Sequence, residues 1–274
     1  MKTNLILIVA ILFFACTPEK SAKEAPRPSQ VELATSYGKI VIELYDKTPL
    51  HKANFEKLVS EGAYDSLLFH RVIEGFVIQG GDPESKYANS EDTVGRGGLD
   101  YRIPAEFDTT IFHKRGAVGT ARNNNPARES NAMQFYIVQA GPVADSIIDK
   151  SEERINNWLS VYYTLHAPEH GVWLDSLNIA LANDDWQTSR RLNDTIASMA
   201  KTFTDFERYQ IPPAHREVYR NLGGTPQLDQ NYTVFAEVIS GMEVVDSIAA
   251  VSTNDLDRPL EEVRILSARI IDKY

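Results

Sequence analysis

The sequence predicts a mainly-β domain of antiparallel strands split by a helical insertion, and three observations lead to it. Short runs rich in β-branched and aromatic residues recur between loops of Gly, Asn and Pro in the first half of the chain. Over residues 141–222 those runs stop, and apolar side chains recur at helical spacing instead. Strand texture then returns from Tyr232. The stretches 30–140 and 223–274 together have the length of one ordinary domain, so 141–222 reads as an insertion and not as a tandem unit.

In chain order, 31–35 and 39–44 form a hairpin across Ser36-Tyr37-Gly38. Thr48-Pro49 supplies an N-cap and a proline at the first helical position; Phe55, Leu58 and Val59 form the apolar face, and Gly62 is the stop. Strands follow at 67–73, 76–79, 116–121 and 135–138. A simple two-residue turn at Glu74-Gly75 would set Arg71 opposite Ile78, so pairing Arg71 with Gln79 needs a bulge or a long side-chain reach. In the insertion, Ile148, Ile155, Leu159, Tyr162 and Leu165 mark one helix. Leu192, Ile196, Met199, Phe203 and Phe206 mark a second, with Asp184 and Gln187 as its cap. Pro212-Pro213 opens a short helix ending before Gly223-Gly224. A strand at 232–239, a helix at 242–250 and a strand at 263–271 complete the chain.

Lys2, the apolar run 5–15 and Cys16 have the layout of a secretory signal, too short to span a bilayer comfortably. Phe13-Phe14-Ala15-Cys16 resembles the lipobox of bacterial lipoproteins, with Phe13 in place of the usual Leu. The expectation is a signal peptide at 1–15, lipidation of Cys16, and a Pro- and charge-rich tether at 16–29. That places the protein in a bacterial cell envelope, lipid-anchored and periplasmic or surface-facing.

Composition excludes several functions. With 28 basic and 38 acidic side chains the net charge is −10, which disfavours broad binding to nucleic acid or anionic lipid. One cysteine permits no internal disulfide and no CxxC zinc site. There is no G-x-S-x-G elbow. His166 and His170 have ligand-like spacing, but Pro168 lies between them and no third ligand is nominated. Gly95-Arg96-Gly97-Gly98 lacks the lysine of a phosphate cradle.

What remains is Phe69-His70-Arg71-Val72-Ile73-Glu74-Gly75-Phe76-Val77-Ile78-Gln79-Gly80-Gly81-Asp82, where an arginine and a glutamine sit among strand-forming residues. Alone, Arg71 reads as an edge-strand arginine with its head in water. The run nevertheless resembles the cyclophilin signature FHRVIPGFMIQGGD, with Glu74 for the proline and Val77 for the methionine. Three further blocks resemble the family in order: Ile103-Pro104-Ala105-Glu106-Phe107; Gly116 through Ala121-Arg122 with Asn131 through Ile137; and Gly224 through Asp229 with Tyr232-Thr233-Val234-Phe235.

The resemblance implies an eight-stranded antiparallel β-barrel closed by two helices, those beginning near Pro49 and Met242. It also implies peptidyl-prolyl cis–trans isomerase activity on proline-containing polypeptides, with no cofactor and no metal. Arg71 would bind the prolyl nitrogen as the amide twists, which suits a permanently protonated, pre-organised fork. Gln79 and Gln134 would orient the guanidinium and the substrate backbone. Phe76, Val77, Ala121, Arg122, Tyr136, Gln227, Leu228 and Tyr232 would bind substrate, five of them (Phe76, Val77, Tyr136, Leu228, Tyr232) as the proline slot. Singly, each slot residue also reads as ordinary barrel core. Tyr136 replaces a Phe and adds a hydroxyl that needs a partner. Val77 and Gln227 depart from the family at the slot and the aromatic wall, which implies insensitivity to its cyclic-peptide inhibitor.

A binding module or chaperone with little turnover is the alternative, holding clients through the groove and insertion. The insertion's ends emerge beside the groove, so it reads either as a client-holding arm or as a self-packed bundle. In the bundle, Trp158, Trp173, Trp186 and the 192–206 stripe form the core.

Overall fold

The computed structural model describes residues 29–271, so the signal, Cys16 and nearly all of the tether lie outside the described residues. The elements are β1 (Gln30–Thr35), β2 (Gly38–Leu44), α1 (Pro49–Ser60), β3 (Phe69–Ile73), β4 (Val77–Gly80), β5 (Arg102–Ile103), β6 (Ala117–Thr120), β7 (Ser130–Asn131) and β8 (Phe135–Val138). There follow α2 (Asp145–His166), α3 (Gly171–Ala182), α4 (Trp186–Ala200), α5 (Pro213–Asn221), β9 (Val234–Ser240), α6 (Met242–Ala249) and β10 (Ile265–Ile271).

Eight strands form one antiparallel sheet in the order β10-β1-β2-β9-β6-β8-β4-β3. Its two ends meet. Leu68 bridges Arg264, Phe69 N–H donates to Val263 O at 2.8 Å, and Ile265 N–H donates to Leu67 O at 2.8 Å. Closure removes the exposed edges that an open sheet would present. Inward positions of β1, β2, β4, β8 and β9, among them Leu33, Ile42, Ile78, Phe135, Ile137 and Phe235, build the core. α1 adds Phe55, Leu58 and Val59, and α6 adds Val245, Ile248 and Ala249. Phe55 is the hub, with ring centroids 4.9 Å from Tyr64 and 5.1 Å from Phe235.

Pro49 opens α1 and Gly62, at φ +68°, follows its end, as the pattern predicts. The cap differs from expectation. Thr48 makes no side-chain cap bond; the carboxylate of Glu106 instead accepts Leu50 N–H and His51 N–H, each at 3.0 Å. A remote acid at the positive end of a helix satisfies the same orphan donors.

The helices α2–α5 form two apolar clusters. The first joins Ile148, Ile155, Leu159, Ile211 and Tyr219 with Phe112 of the barrel; the second joins Leu165, Leu177 and Ile196 with Trp173 and Leu192. The inner cluster thus packs on the barrel, whereas the outer one packs on itself. Three local expectations are corrected. The α4 cap is Asp185, accepting from Thr188 N–H at 3.0 Å, because Asp184 sits at φ +53° one residue outside. Phe203 and Phe206 lie beyond α4, since Asn156 bonds both polar groups of the Tyr209 backbone at 2.9 Å and holds this segment along α2. Trp186 is 69% exposed and no part of a core, and Trp158 packs against Tyr232 of the barrel portion.

His70 is buried beneath the loop carrying Gly95, and neither ring nitrogen has a hydrogen-bond partner. Burial, aided by the Arg71 and Arg258 charges and opposed by Asp82, pulls its pKa from 6.5 to about 4. The unfolded chain protonates near 6.5, so this contribution to stability is complete above that pH and falls as the pH drops toward 4. Between pH 7 and 4.5 the wild type is expected to lose about 2 kcal/mol more than His70→Leu in denaturant titrations. Parallel losses in the two proteins refute this assignment.

Candidate active site

The β3–β4 turn decides where Arg71 stands. Phe76 N–H donates to Ile73 O at 3.1 Å, and Gly75 takes φ +72° in the third turn position, where a side chain is disfavoured. The loop therefore holds three residues, Ile73 pairs with Val77, and Arg71 pairs directly with Gln79. The Ile73–Val77 pairing thus rules out a two-residue turn, and no long reach is needed.

The register continues across the sheet. Gln79 faces Tyr136 on β8, and Tyr136 faces Gly119 on β6. Directly opposed residues share a face, so Arg71, Gln79 and Tyr136 form one row at about 4.8 Å per strand. Alternation along β4 and β8 turns Ile78, Phe135 and Ile137 into the barrel core. Val77 and Tyr136 join Leu228, with Phe76 and Tyr232 packed against them, in a separate cluster outside the barrel core. The five residues named as the slot are thereby brought together, and none belongs to the core cluster.

The Arg71 side chain is 41% exposed, and its Nε donates to Asp257 Oδ2 at 3.2 Å. Asp257, at φ +61°, is carried by a loop docked through Val72 N–H to its own carbonyl at 2.8 Å. Both Nη groups have no partner among the described residues and remain available as donors. Gln79 donates not to Arg71 but to Gln134, its Nε2 lying 3.0 Å from Gln134 Oε1. The buried Gln134 donates in turn to Gly97 O at 2.7 Å and Gly95 O at 3.2 Å. The resemblance has Gln79 and Gln134 orienting the guanidinium and the substrate backbone; here they brace each other and the 95–97 loop, because their amides complement one another, while Asp257 takes the arginine. Ala121 pairs its backbone with Gln134 O and Asn131 N–H, at 3.0 and 2.8 Å. Arg122 lies 5.5 Å from the Tyr232 ring centroid, and Gln227 is half-buried in the turn that also carries Leu228.

The Tyr136 hydroxyl has found its partner. It lies 2.9 Å from His113 Nε2, and His113 Nδ1 lies 2.7 Å from Asp229 Oδ1. Tyr219 of α5 donates to Asp229 Oδ2 at 2.7 Å. Burial, reinforced by the Asp229 charge, holds both phenols well above their ordinary range, so each is a donor. Asp229 accepts from the Nδ1 side of the ring and from Tyr219 O–H, and the Tyr136 O–H faces Nε2. The floor of the apolar cluster is thus tied to the insertion by a fully buried relay.

Asp257, His113, Asp229 and Tyr219 were missed by sequence reasoning. Only the added hydroxyl of Tyr136 signalled that a buried partner must exist. His166 and His170 each direct Nδ1 to a backbone carbonyl, of Tyr162 at 2.7 Å and Thr164 at 2.8 Å, and do not converge through those atoms on one ligand.

A closed eight-stranded barrel bearing an arginine beside an outward apolar slot has counterparts. The family profile described as cyclophilin type peptidyl-prolyl cis-trans isomerase/CLD matches residues 30–164 and 197–270. The chain belongs to that family and is a peptidyl-prolyl cis–trans isomerase by class. A curated putative peptidyl-prolyl cis-trans isomerase of Staphylococcus haemolyticus is 26% identical over 89% of this chain and 92% of its own length. A putative bifunctional phosphatase/peptidyl-prolyl cis-trans isomerase of Streptococcus pyogenes is 27% identical over 89% of this chain, which spans only 39% of that longer protein. Among solved structures, a Cryptosporidium parvum cyclophilin type isomerase superposes with a TM-score of 0.54 at 18% identity, over 90% of this chain and all of its own. The same protein was also solved in the presence of the dipeptide Ala-Pro.

Proposed function

We propose that this chain isomerises X–Pro bonds of exported polypeptides, with Arg71 stabilising the twisted amide above the apolar slot. The carrying observation is the cross-strand row: Arg71 stands in register with Gln79 and Tyr136, its Nε held by Asp257 and its Nη groups without a partner among the described residues. Amide resonance sets a barrier of about 18–20 kcal/mol, and no bond need break. A donor placed where the prolyl nitrogen gains its lone pair lowers that barrier only if it binds the twisted state more strongly than the planar ones. Phe76, Val77, Tyr136, Leu228 and Tyr232 hold the ring, and Gln134, its amide fixed by Gln79 and the 95–97 loop, forms the wall beside it with Ala121 and Arg122. The neighbour structure solved in the presence of the dipeptide Ala-Pro supports a proline-containing ligand. The deciding experiment is isomerisation of a short X–Pro peptide by wild type and Arg71→Ala; equal rates overturn the assignment.

Export and anchoring rest on the lipobox-like Phe13-Phe14-Ala15-Cys16 and the apolar run before it. Acyl chains at Cys16 hold the protein to a membrane by buried methylenes. Expressed in a bacterium, the wild type is expected in the membrane fraction with a diacylglyceryl mass on Cys16, and Cys16→Ser is expected in the soluble envelope fraction. An unmodified Cys16 overturns the anchor.

A further inference from the structure

The aromatic floor does not stop at the slot. Tyr136 meets Tyr232 edge-on at a centroid distance of 6.2 Å, and Tyr232 meets Trp158 of α2 at 6.4 Å. A row of rings therefore runs from the proline slot onto the insertion. Arg122 lies over Tyr232 at 5.5 Å, and Arg154 lies over Trp158 at 4.7 Å. Arg154, Trp158 and Tyr162 are spaced by four and share one face of α2. That face is pinned in place, because Arg128 stacks between Tyr162 at 3.7 Å and Phe107 at 4.7 Å.

The guanidinium groups of this strip lie against ring faces and not against acids. In a chain of net charge −10, neither Arg122 nor Arg154 has a carboxylate partner among the described residues. Arg122 donates from Nη1 to Asn125 O at 3.3 Å and interacts with the Tyr232 hydroxyl, while its buried Nε has no partner among the described residues. Ring faces take up the flat sides of these cations and leave their N–H edges to an acceptor.

We propose that the strip Arg122–Tyr232–Trp158–Arg154 is a subsite for an acidic side chain in the client segment flanking the proline. It rests on the isomerase reading above and extends it to a substrate class. The two centroid steps place Trp158 within about four extended residues of the bound proline. Clients carrying Asp or Glu in that window are preferred, and the insertion supplies half of the recognition.

The test is a set of otherwise neutral Ala-Pro peptides carrying one Glu, Gln or Lys at each position from four before to four after the proline. Wild type is expected to show kcat/KM about three- to ten-fold higher for Glu than for Gln at one run of positions on one side of the proline, with Lys poorer than Gln. The advantage shrinks as salt is raised. Arg154→Gln is expected to bring the Glu/Gln ratio close to one, and Arg154→Lys to restore part of it. Turnover of the neutral peptide with a ratio of one everywhere overturns the subsite and leaves the isomerase standing. A ratio that persists in Arg154→Gln also overturns it. No turnover of any peptide removes the isomerase reading and the subsite together.

Discussion

Replacing Arg71 with alanine is expected to lower kcat/KM for a short X–Pro peptide by about 10²–10³-fold, the scale for removing one preorganised donor at a site of developing charge. This is about 2.7–4 kcal/mol of the amide barrier. The loss should fall mainly on kcat, because the slot that binds the ring is built by other residues. Arg71→Lys keeps the charge but not the planar fork, and recovers only part of the rate. Asp257→Asn leaves the guanidinium in place with a weaker clamp, so a smaller fall in kcat with unchanged KM is expected. Stability is a poor explanation for the Arg71 effect, since both partners of the Arg71–Asp257 pair are about 40% exposed and such pairs contribute little. Matching unfolding curves for wild type and Arg71→Ala, together with the rate loss, establish the catalytic assignment. A variant that turns over peptide like wild type removes it.

Replacing Asp229 with alanine is expected to be the most destabilising polar substitution near the slot, by about 3–5 kcal/mol. Its carboxylate is 2% exposed and accepts from His113 N–H, His113 Nδ1 and Tyr219 O–H, at 3.0, 2.7 and 2.7 Å. Truncation leaves all three donors buried without acceptors, and these costs are coupled, so they do not simply add. For a domain of this size the melting temperature should fall by roughly 10 °C. Tyr219→Phe removes one donor together with its need for an acceptor and should cost far less. Activity should fall in Asp229→Ala even well below its melting point, because His113 no longer holds the Tyr136 ring. A variant melting within two or three degrees of wild type would mean that water replaces the carboxylate.

The two predictions draw on different depths of legibility. The hairpin β1–β2, the start of α1 at Pro49, its end at Gly62 and the strands around Arg71 were readable because each depends on neighbours a few residues apart. The five slot residues were nameable only through the resemblance, since apolar side chains on alternating strands look alike whether they face the core or the outside. Asp257 is 186 positions from Arg71, and Asp229 is 116 from His113. No periodicity links such pairs. The cap of α1 shows the same limit: Thr48 is the expected residue at the expected place, yet Glu106 does the work from 55 or more positions away. Phe203 and Phe206 continue a helical spacing that the chain abandons, because Asn156 offers their segment other backbone bonds.

By itself the sequence determined most element types, though not α3, β5 or β7, the division into strand-rich and helical stretches, and the family, because periodicity, turn chemistry and motif order are properties of adjacent residues. Only the tertiary structure decided which face each strand turns outward, which acid holds Arg71, and where the insertion's α2 lies against Tyr232. Those are set by register and closure. One residue of turn length at Gly75 selects Gln79 over Ile78 as the neighbour of Arg71, and barrel closure brings the loop of Asp257 beside β3.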